Sequence, residues 1–221
     1  MAKPYLKIGD IVIEWLGHAT FRIKSKRTTI YTDPFVLDSN AEKADFVLVS
    51  HEHYDHCDAE KIDEITKGDT VIMAPPSCIS KLRKDFKVIK PGETVSQEGI
   101  NFTILPAYNI SKPFHQKGTG VGYLIEIADI KIYFAGDTDK IPEMADLEYE
   151  NVTVALLPVG GTYTMDEEDA AEAVKVIHPM MVIPMHYGST PQITLDADLE
   201  KFKELVGNSA EVKILEKKGE S

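Results

Sequence analysis

The chain is predicted to be an α+β protein built from two stacked β-sheets with helices on their outer faces. Two strand-rich stretches predict it, one in the first third and one in the middle, each followed by helical segments. Composition agrees. Over 221 residues, 43% are hydrophobic and 27% charged, which is enough to bury a large core without a disulfide or metal staple. No linker, low-complexity tract or fixed-period repeat divides the chain, so residues 1–221 are expected to form one domain.

The early strands are Ile11 to Trp15, Thr20 to Lys24, Thr28 to Thr32 and Phe46 to Val49, all rich in β-branched and aromatic residues. The break Leu16-Gly17-His18-Ala19 joins the first two as a hairpin. A helix is expected from about Ala59 to Thr66, and a second short one over Ser77 to Lys84, after Pro75-Pro76. Ile100, Phe102 and Ile104 alternate with Asn101 and Thr103, the pattern of a half-buried strand. Gly122 to Ile127 and Ile130 to Ala135 form a hairpin turning at Ala128-Asp129. Val152 to Leu157 is a buried strand. Thr164 with Glu167 forms a capping box for a helix whose apolar face holds Ala170, Val174 and Ile177, stopped at Pro179. Met181 to Pro184 is a short strand. Leu195, Leu199, Phe202 and Val206 line a last helix ended by Gly207.

Charge and cysteine content exclude several classes. The net charge of −12 repels polyphosphate backbones, which argues against a nucleic-acid coat protein. Two cysteines, Cys57 and Cys78, exclude a disulfide-rich secreted scaffold. The opening MAKPYLKIGDIVIEWLG has no signal-peptide pattern, and the apolar runs are too short to span a bilayer. A cytoplasmic protein with no membrane partner is expected.

The chemistry concentrates in His51-Glu52-His53-Tyr54-Asp55-His56, directly after the apolar strand Phe46 to Val49. Four metal-competent groups in six residues cannot all be buried without partners, and a strand end can aim them at one point. His51 and His53, two apart in an extended segment, point the same way and suit one cation. Asp55 and His56 reach a second cation beside it. Two adjacent cations form a hydrolytic site in which a bridging hydroxide attacks. Further ligands are offered by Asp137 in Ala135-Gly136-Asp137-Thr138 and by His186 in Met185-His186-Tyr187, each after a buried strand.

The order His-x-His-x-Asp-His, Gly-Asp-Thr, then a late His resembles the metallo-β-lactamase superfamily over nearly the whole chain. The opening Trp15-Leu16-Gly17-His18 and the segment Gly136-Asp137-Thr138-Asp139 are similar to its branch of small lactonase-like hydrolases. The resemblance implies a four-layer αββα sandwich, with Asp33 of Thr32-Asp33-Pro34 bracing the His loop and Asp137 bridging two metals. It also gives Asp55 a second duty as proton shuttle to the leaving group. One motif departs from the pattern. Where the family places a His after the strand Phe102 to Leu105, this chain reads Ala107-Tyr108-Asn109-Ile110-Ser111-Lys112-Pro113-Phe114-His115. Either His115 returns from a longer loop to complete the first metal, or Asn109 fills the place through its carbonyl oxygen and His115 meets substrate.

The resulting expectation is a hydrolase with His51, His53 and His115 on one divalent ion, Asp55, His56 and His186 on the other, and Asp137 between them. Zinc leads as the metal, with manganese or iron as alternatives. His18 stands near the pocket, where it either supports a ligand or touches substrate. Cys57 is read as a packed thiol. The segment Lys112 to Gly120 reads either as a cationic lip for an anionic substrate or as a solvated loop. The substrate is a small, anionic metabolite cleaved at a phosphodiester, lactone or other ester. The alternatives are a nuclease or phosphodiesterase on nucleic acid and a silent metal-binding module. A homo-oligomer remains open.

Overall fold

The structure, a computed structural model, describes residues 4–217. The chain forms two compact units. Unit 1 runs through Ile89 and takes back the segment from Leu215, and unit 2 is Lys90–Ile214. Each carries one mixed seven-stranded sheet. The α+β class and the two mixed sheets with their helices are those the sequence predicts.

In unit 1 the strands are β1 (Tyr5–Ile8), β2 (Ile11–Gly17), β3 (Thr20–Lys24), β4 (Thr29–Thr32), β5 (Phe46–Leu48), β6 (Val71–Ala74) and β7 (Lys87–Val88), and they lie in chain order. The first four are antiparallel neighbours, and β4 to β7 are parallel. β5 reads Phe-Val-Leu and is buried throughout, as a parallel strand covered on both faces must be. Helix α1 (Ala59–Ile65) follows the His-rich turn. Asp58 caps it by accepting from the amides of Glu60 and Lys61, and Ile62 and Ile65 face the core. That core packs Leu16, Tyr31, Val47, Val49, Ile72 and both cysteines together. Cys57 is therefore the packed thiol expected. Its neighbour Cys78 has its pKa pushed up, first by a hydrogen bond with Cys57 and then by burial.

Unit 2 repeats the topology. Strands β8 (Thr94–Gln97), β9 (Ile100–Ala107), β10 (Gly120–Ile127) and β11 (Ile130–Phe134) are antiparallel neighbours. β12 (Val154–Pro158) and β13 (Met181–Met185) then run parallel to β11. β14 (Gly188–Ser189) and β15 (Thr194–Leu195) form a separate small ribbon, and β16 (Glu211–Val212) edges the main sheet beside β13. Helices α2 (Glu167–Ile177) and α3 (Leu199–Val206) bury Ala170, Val174 and Ile177, and Phe202 and Val206 respectively.

Three elements differ from the sequence reading. Residues Pro76–Ser80 form a 3-10 turn rather than an α-helix to Lys84, because the two prolines set its first turn and the segment buries only Cys78. The cap of α2 is Asp166, which accepts from the Asp169 amide at 2.9 Å, so the helix starts after the proposed capping box. A carboxylate acceptor at that place outcompetes the threonine hydroxyl. Leu195 lies in β15, and α3 begins four residues later behind its own cap, Asp198. Among the described residues, no helix is long and apolar enough to cross a membrane.

Candidate metal centre

Strand polarity decides where the ligands sit. In unit 1 antiparallel pairing makes β2 run the same way as β4 and β5, so the residues leaving those three strands share one end of the sheet. They are His18 after β2, Asp33 after β4, and His51 to His56 after β5. In unit 2 the same logic applies to β9, β11 and β13, which release Asn109 and His115, then Asp137, then His186.

Asp33 is the fixed point of unit 1. It is fully buried, and its Oδ1 accepts the Ser50 amide at 2.7 Å. Its Oδ2 accepts the Ser50 hydroxyl at 2.6 Å and the His56 Nδ1–H at 2.7 Å. Burial pushes its carboxyl pKa up, opposed by His56 and by these donors. Because the Ser50 hydroxyl donates to Asp33, it accepts from His51 Nδ1 at 2.9 Å. Both histidines therefore carry their proton on Nδ1 and present the Nε2 lone pair, the arrangement a metal ligand needs. His51 Nε2 lies 2.9 Å from His53 Nδ1, and their rings meet edge to face. Asp55 Oδ2 lies 3.0 Å from His18 Nε2 and 3.7 Å from His56 Nε2. Unit 1 thus brings His51 to His53, and Asp55 to His56. Asp33, His51 and His56 form one of the groups with ligand atoms close enough to share an ion. The His loop is a turn rather than an extended segment, closed by the His56 and Cys57 amides donating to the His53 carbonyl.

In unit 2 the centre is Asp137, 4% exposed at the end of β11. Its Oδ2 lies 3.2 Å from His115 Nε2 and 3.1 Å from His186 Nε2. His115 Nδ1 lies 3.1 Å from the Tyr163 carbonyl, to which it can donate, and 3.2 Å from the Asn109 amide Nδ2, from which it can accept, and its Nε2 faces Asp137. The longer loop does return His115 to the end of β9, closed by the Asn109 amide donating to the His115 carbonyl at 2.8 Å. Asn109 is also buried there. Its amide Nδ2 donates to the Tyr163 carbonyl at 2.8 Å, and its Oδ1 has no hydrogen-bond partner among the described residues. Burial pushes the Tyr187 phenol up to about 12, so it stays neutral beside His186 at ordinary pH.

Donor chemistry supports a cation in both clusters. Each cluster brings imidazole nitrogens to within about 3 Å of another nitrogen or of a carboxylate oxygen, a donor set that a cation can bind and that protons bridge otherwise. Nitrogen and carboxylate ligands of this kind suit zinc, manganese or iron.

Sequence reasoning missed several supporting residues. Ser50, just before the motif, links Asp33 to His51. The Tyr163 carbonyl orients His115. Asp139 accepts from the Ile110 amide at 2.8 Å and pairs with Lys112. Lys117 pairs with Glu143, so both lysines of the Lys112 to Gly120 segment are held by carboxylates. Gly160 packs against His186 so closely that an added Cβ would overlap its carbonyl oxygen and sit 3.3 Å from Nδ1. No spacing rule marks such a glycine. Gly160→Ala is expected to lower stability by about 1–3 kcal/mol through overpacking and to loosen metal binding as His186 shifts. Thermal denaturation with and without metal checks it, and an unchanged metal-dependent rise in Tm would refute the link to His186.

The backbone is strained at several of these positions. His18, Asp33, His115 and His186 have φ of 56°, 36°, 53° and 59°. Non-glycine residues rarely adopt this left-handed region, and strain of that kind clusters at functional sites.

Comparison with known proteins identifies the family. Residues 12–186 match the model of the β-lactamase superfamily domain. A UPF0173 metal-dependent hydrolase of Pyrococcus horikoshii is 38% identical, covering 93% of this chain and 96% of that protein. A crystal structure of a metal-dependent hydrolase from Parabacteroides distasonis superposes with a TM-score of 0.85 at 31% identity, covering 96% of this chain and 98% of the other. Igni18, a metallo hydrolase of Ignicoccus hospitalis, does so with a TM-score of 0.76 at 26% identity, covering 93% and 95%. The chain belongs to the metallo-β-lactamase superfamily and is a metal-dependent hydrolase.

Proposed function

We propose that the chain uses two divalent cations to hydrolyse a phosphodiester, lactone or other ester bond in a small metabolite. Zinc is the favoured ion, with manganese or iron as alternatives. The observation that carries the reading is Asp137, whose single oxygen Oδ2 faces the ligating nitrogens of both His115 and His186. A carboxylate oxygen with an imidazole nitrogen on either side would be a suitable cation ligand. In this reading His51, His53, Asp55 and His56 of unit 1 and His115, Asp137 and His186 of unit 2 are the residues that would hold metal.

When bound, the cations supply a water acidic enough to ionise near neutral pH and hold the charge that develops on the attacked centre. The chain's own residues do the rest. Asp33 and Ser50 fix the tautomers of His51 and His56, so no proton occupies their ligating nitrogens. The Tyr163 carbonyl would do the same for His115 in its Nδ1–H form. His115 is favoured over Asn109 as the ligand because its Nε2 reaches Asp137, while Asn109 donates to that carbonyl. Asp55 moves the proton to the leaving group, and its hydrogen bond with His18 Nε2 gives that proton a second resting place.

Elemental analysis of protein purified without chelator or histidine tag tests the reading. About two divalent ions per chain are expected. Hydrolysis of 4-nitrophenyl esters or phosphodiesters should vanish on chelation and return with added metal. One ion per chain overturns the two-cation reading. No ion after soaking with all three metals overturns the catalytic one.

A further inference from the structure

The loop that carries His115 has a chemical character the metal-binding residues do not use. The bond between the Asn109 amide and the His115 carbonyl closes it, with residues 110 and 114 at the two ends of the segment it encloses. Both are apolar and exposed, Ile110 by 60% and Phe114 by 40%. The Phe114 ring meets the Tyr163 ring edge-on, with centroids 5.0 Å apart and planes at 76°. Its centroid is 6.5 Å from that of the His115 imidazole. Tyr163 is the residue whose carbonyl orients His115. A ring pair fixed in this way is a wall rather than a mobile side chain. The loop's lysines add no competing charge, since Lys112 is bound to Asp139 and Lys117 to Glu143. Single exposed apolar residues are ordinary, but an exposed ring held by a second ring next to His115 gives the site an ordered apolar surface. Unit 1 has the same chemistry independently. Tyr54, between His53 and Asp55, is 53% exposed and packs edge-on to Phe35, which packs edge-on to His18.

We propose that Phe114, backed by Tyr163 and flanked by Ile110, forms a specificity subsite beside His115. It receives an uncharged aryl or alkyl group attached directly to the reacting centre of the substrate. The substrate class is therefore an aryl- or alkyl-substituted ester or phosphodiester rather than a polyanion. This rests on the hydrolase reading above, and the test separates the two.

Metal-loaded wild-type protein is assayed on 4-nitrophenyl esters and 4-nitrophenyl phosphodiesters. Each series carries phenyl or methyl on the far side of the reacting centre. The phenyl-to-methyl ratio of kcat/KM is expected to be at least about ten, the worth of burying much of one ring. Phe114→Ala should lower that ratio by about tenfold through KM, and Phe114→Tyr, which keeps the ring, should retain it. Calorimetric binding of benzoate against acetate gives a second readout that needs no turnover, with the same loss expected in Phe114→Ala. Circular dichroism confirms that the variants fold. Turnover with a ratio unchanged by Phe114→Ala overturns the subsite and leaves the hydrolase reading standing. Loss of the binding preference in Phe114→Ala without turnover of any ester supports the subsite and counts against the ester-cleaving reading. No turnover and no binding preference overturns both.

Discussion

Replacing Asp137 by asparagine is expected to lower kcat/KM by at least a factor of about a thousand and to reduce the metal content of the purified protein. The magnitude follows from the several kcal/mol of charge stabilisation that a metal centre supplies, at 1.36 kcal/mol per factor of ten. Asparagine keeps the volume of a side chain that is 4% exposed, so the fold of unit 2 should survive. What it removes is the negative charge between His115 Nε2 and His186 Nε2. An amide oxygen is a weaker ligand for one cation and a poor bridge for two. The measurement pairs steady-state kinetics with elemental analysis on the same preparation. Wild-type metal content together with a rate within tenfold of wild type would remove Asp137 from the centre.

The second large effect is expected at Asp33, which reaches the reaction only through other residues. Asp33→Asn sets an amide against groups that all donate, namely the Ser50 amide, the Ser50 hydroxyl and His56 Nδ1–H. The Ser50 hydroxyl can turn to accept, but the amide NH2 then meets His56 Nδ1–H and that bond is lost. Metal affinity should fall by about 10- to 100-fold, the usual cost of losing an outer partner of a ligating histidine. Stability should fall by about 2–3 kcal/mol from the lost charge-assisted bonds. Chelator competition reads the first and denaturant unfolding of the metal-free protein reads the second. A loss of stability with unchanged metal affinity would make Asp33 a purely architectural residue.

Much of this was legible in the sequence because it is carried by local pattern. The His-x-His-x-Asp-His stretch declares itself by density, and β5 before it by three consecutive buried apolar residues. Asp137 and His186 are legible because each follows a strand that ends in consecutive buried residues, Ile132 to Phe134 and Val182 to Met185. What stayed hidden depends on backbone groups or on residues with several ordinary roles. The Tyr163 carbonyl has no side-chain signature, yet it is one of the groups that orient His115. The choice between His115 and Asn109 stayed open in sequence because loop closure by one backbone hydrogen bond is invisible there. The misplaced start of α2 has a similar cause. Thr164 and Asp166 both cap well, and only the path of the chain chooses between them.

The left-handed backbone at His18, Asp33, His115 and His186 bears on how this protein can be improved. Each such residue costs on the order of 1–2 kcal/mol, which glycine, and to a lesser degree asparagine, would avoid. A search guided by thermostability alone would thus be drawn to these four positions and would reward the loss of the imidazoles and the carboxylate. Glu98, Ala128 and Asn151 have the same backbone geometry in plain turns, with φ of 54°, 53° and 52°. Engineering for robustness belongs at those turns. The four ligand-end positions record a trade-off in which evolution kept chemistry at the expense of rigidity.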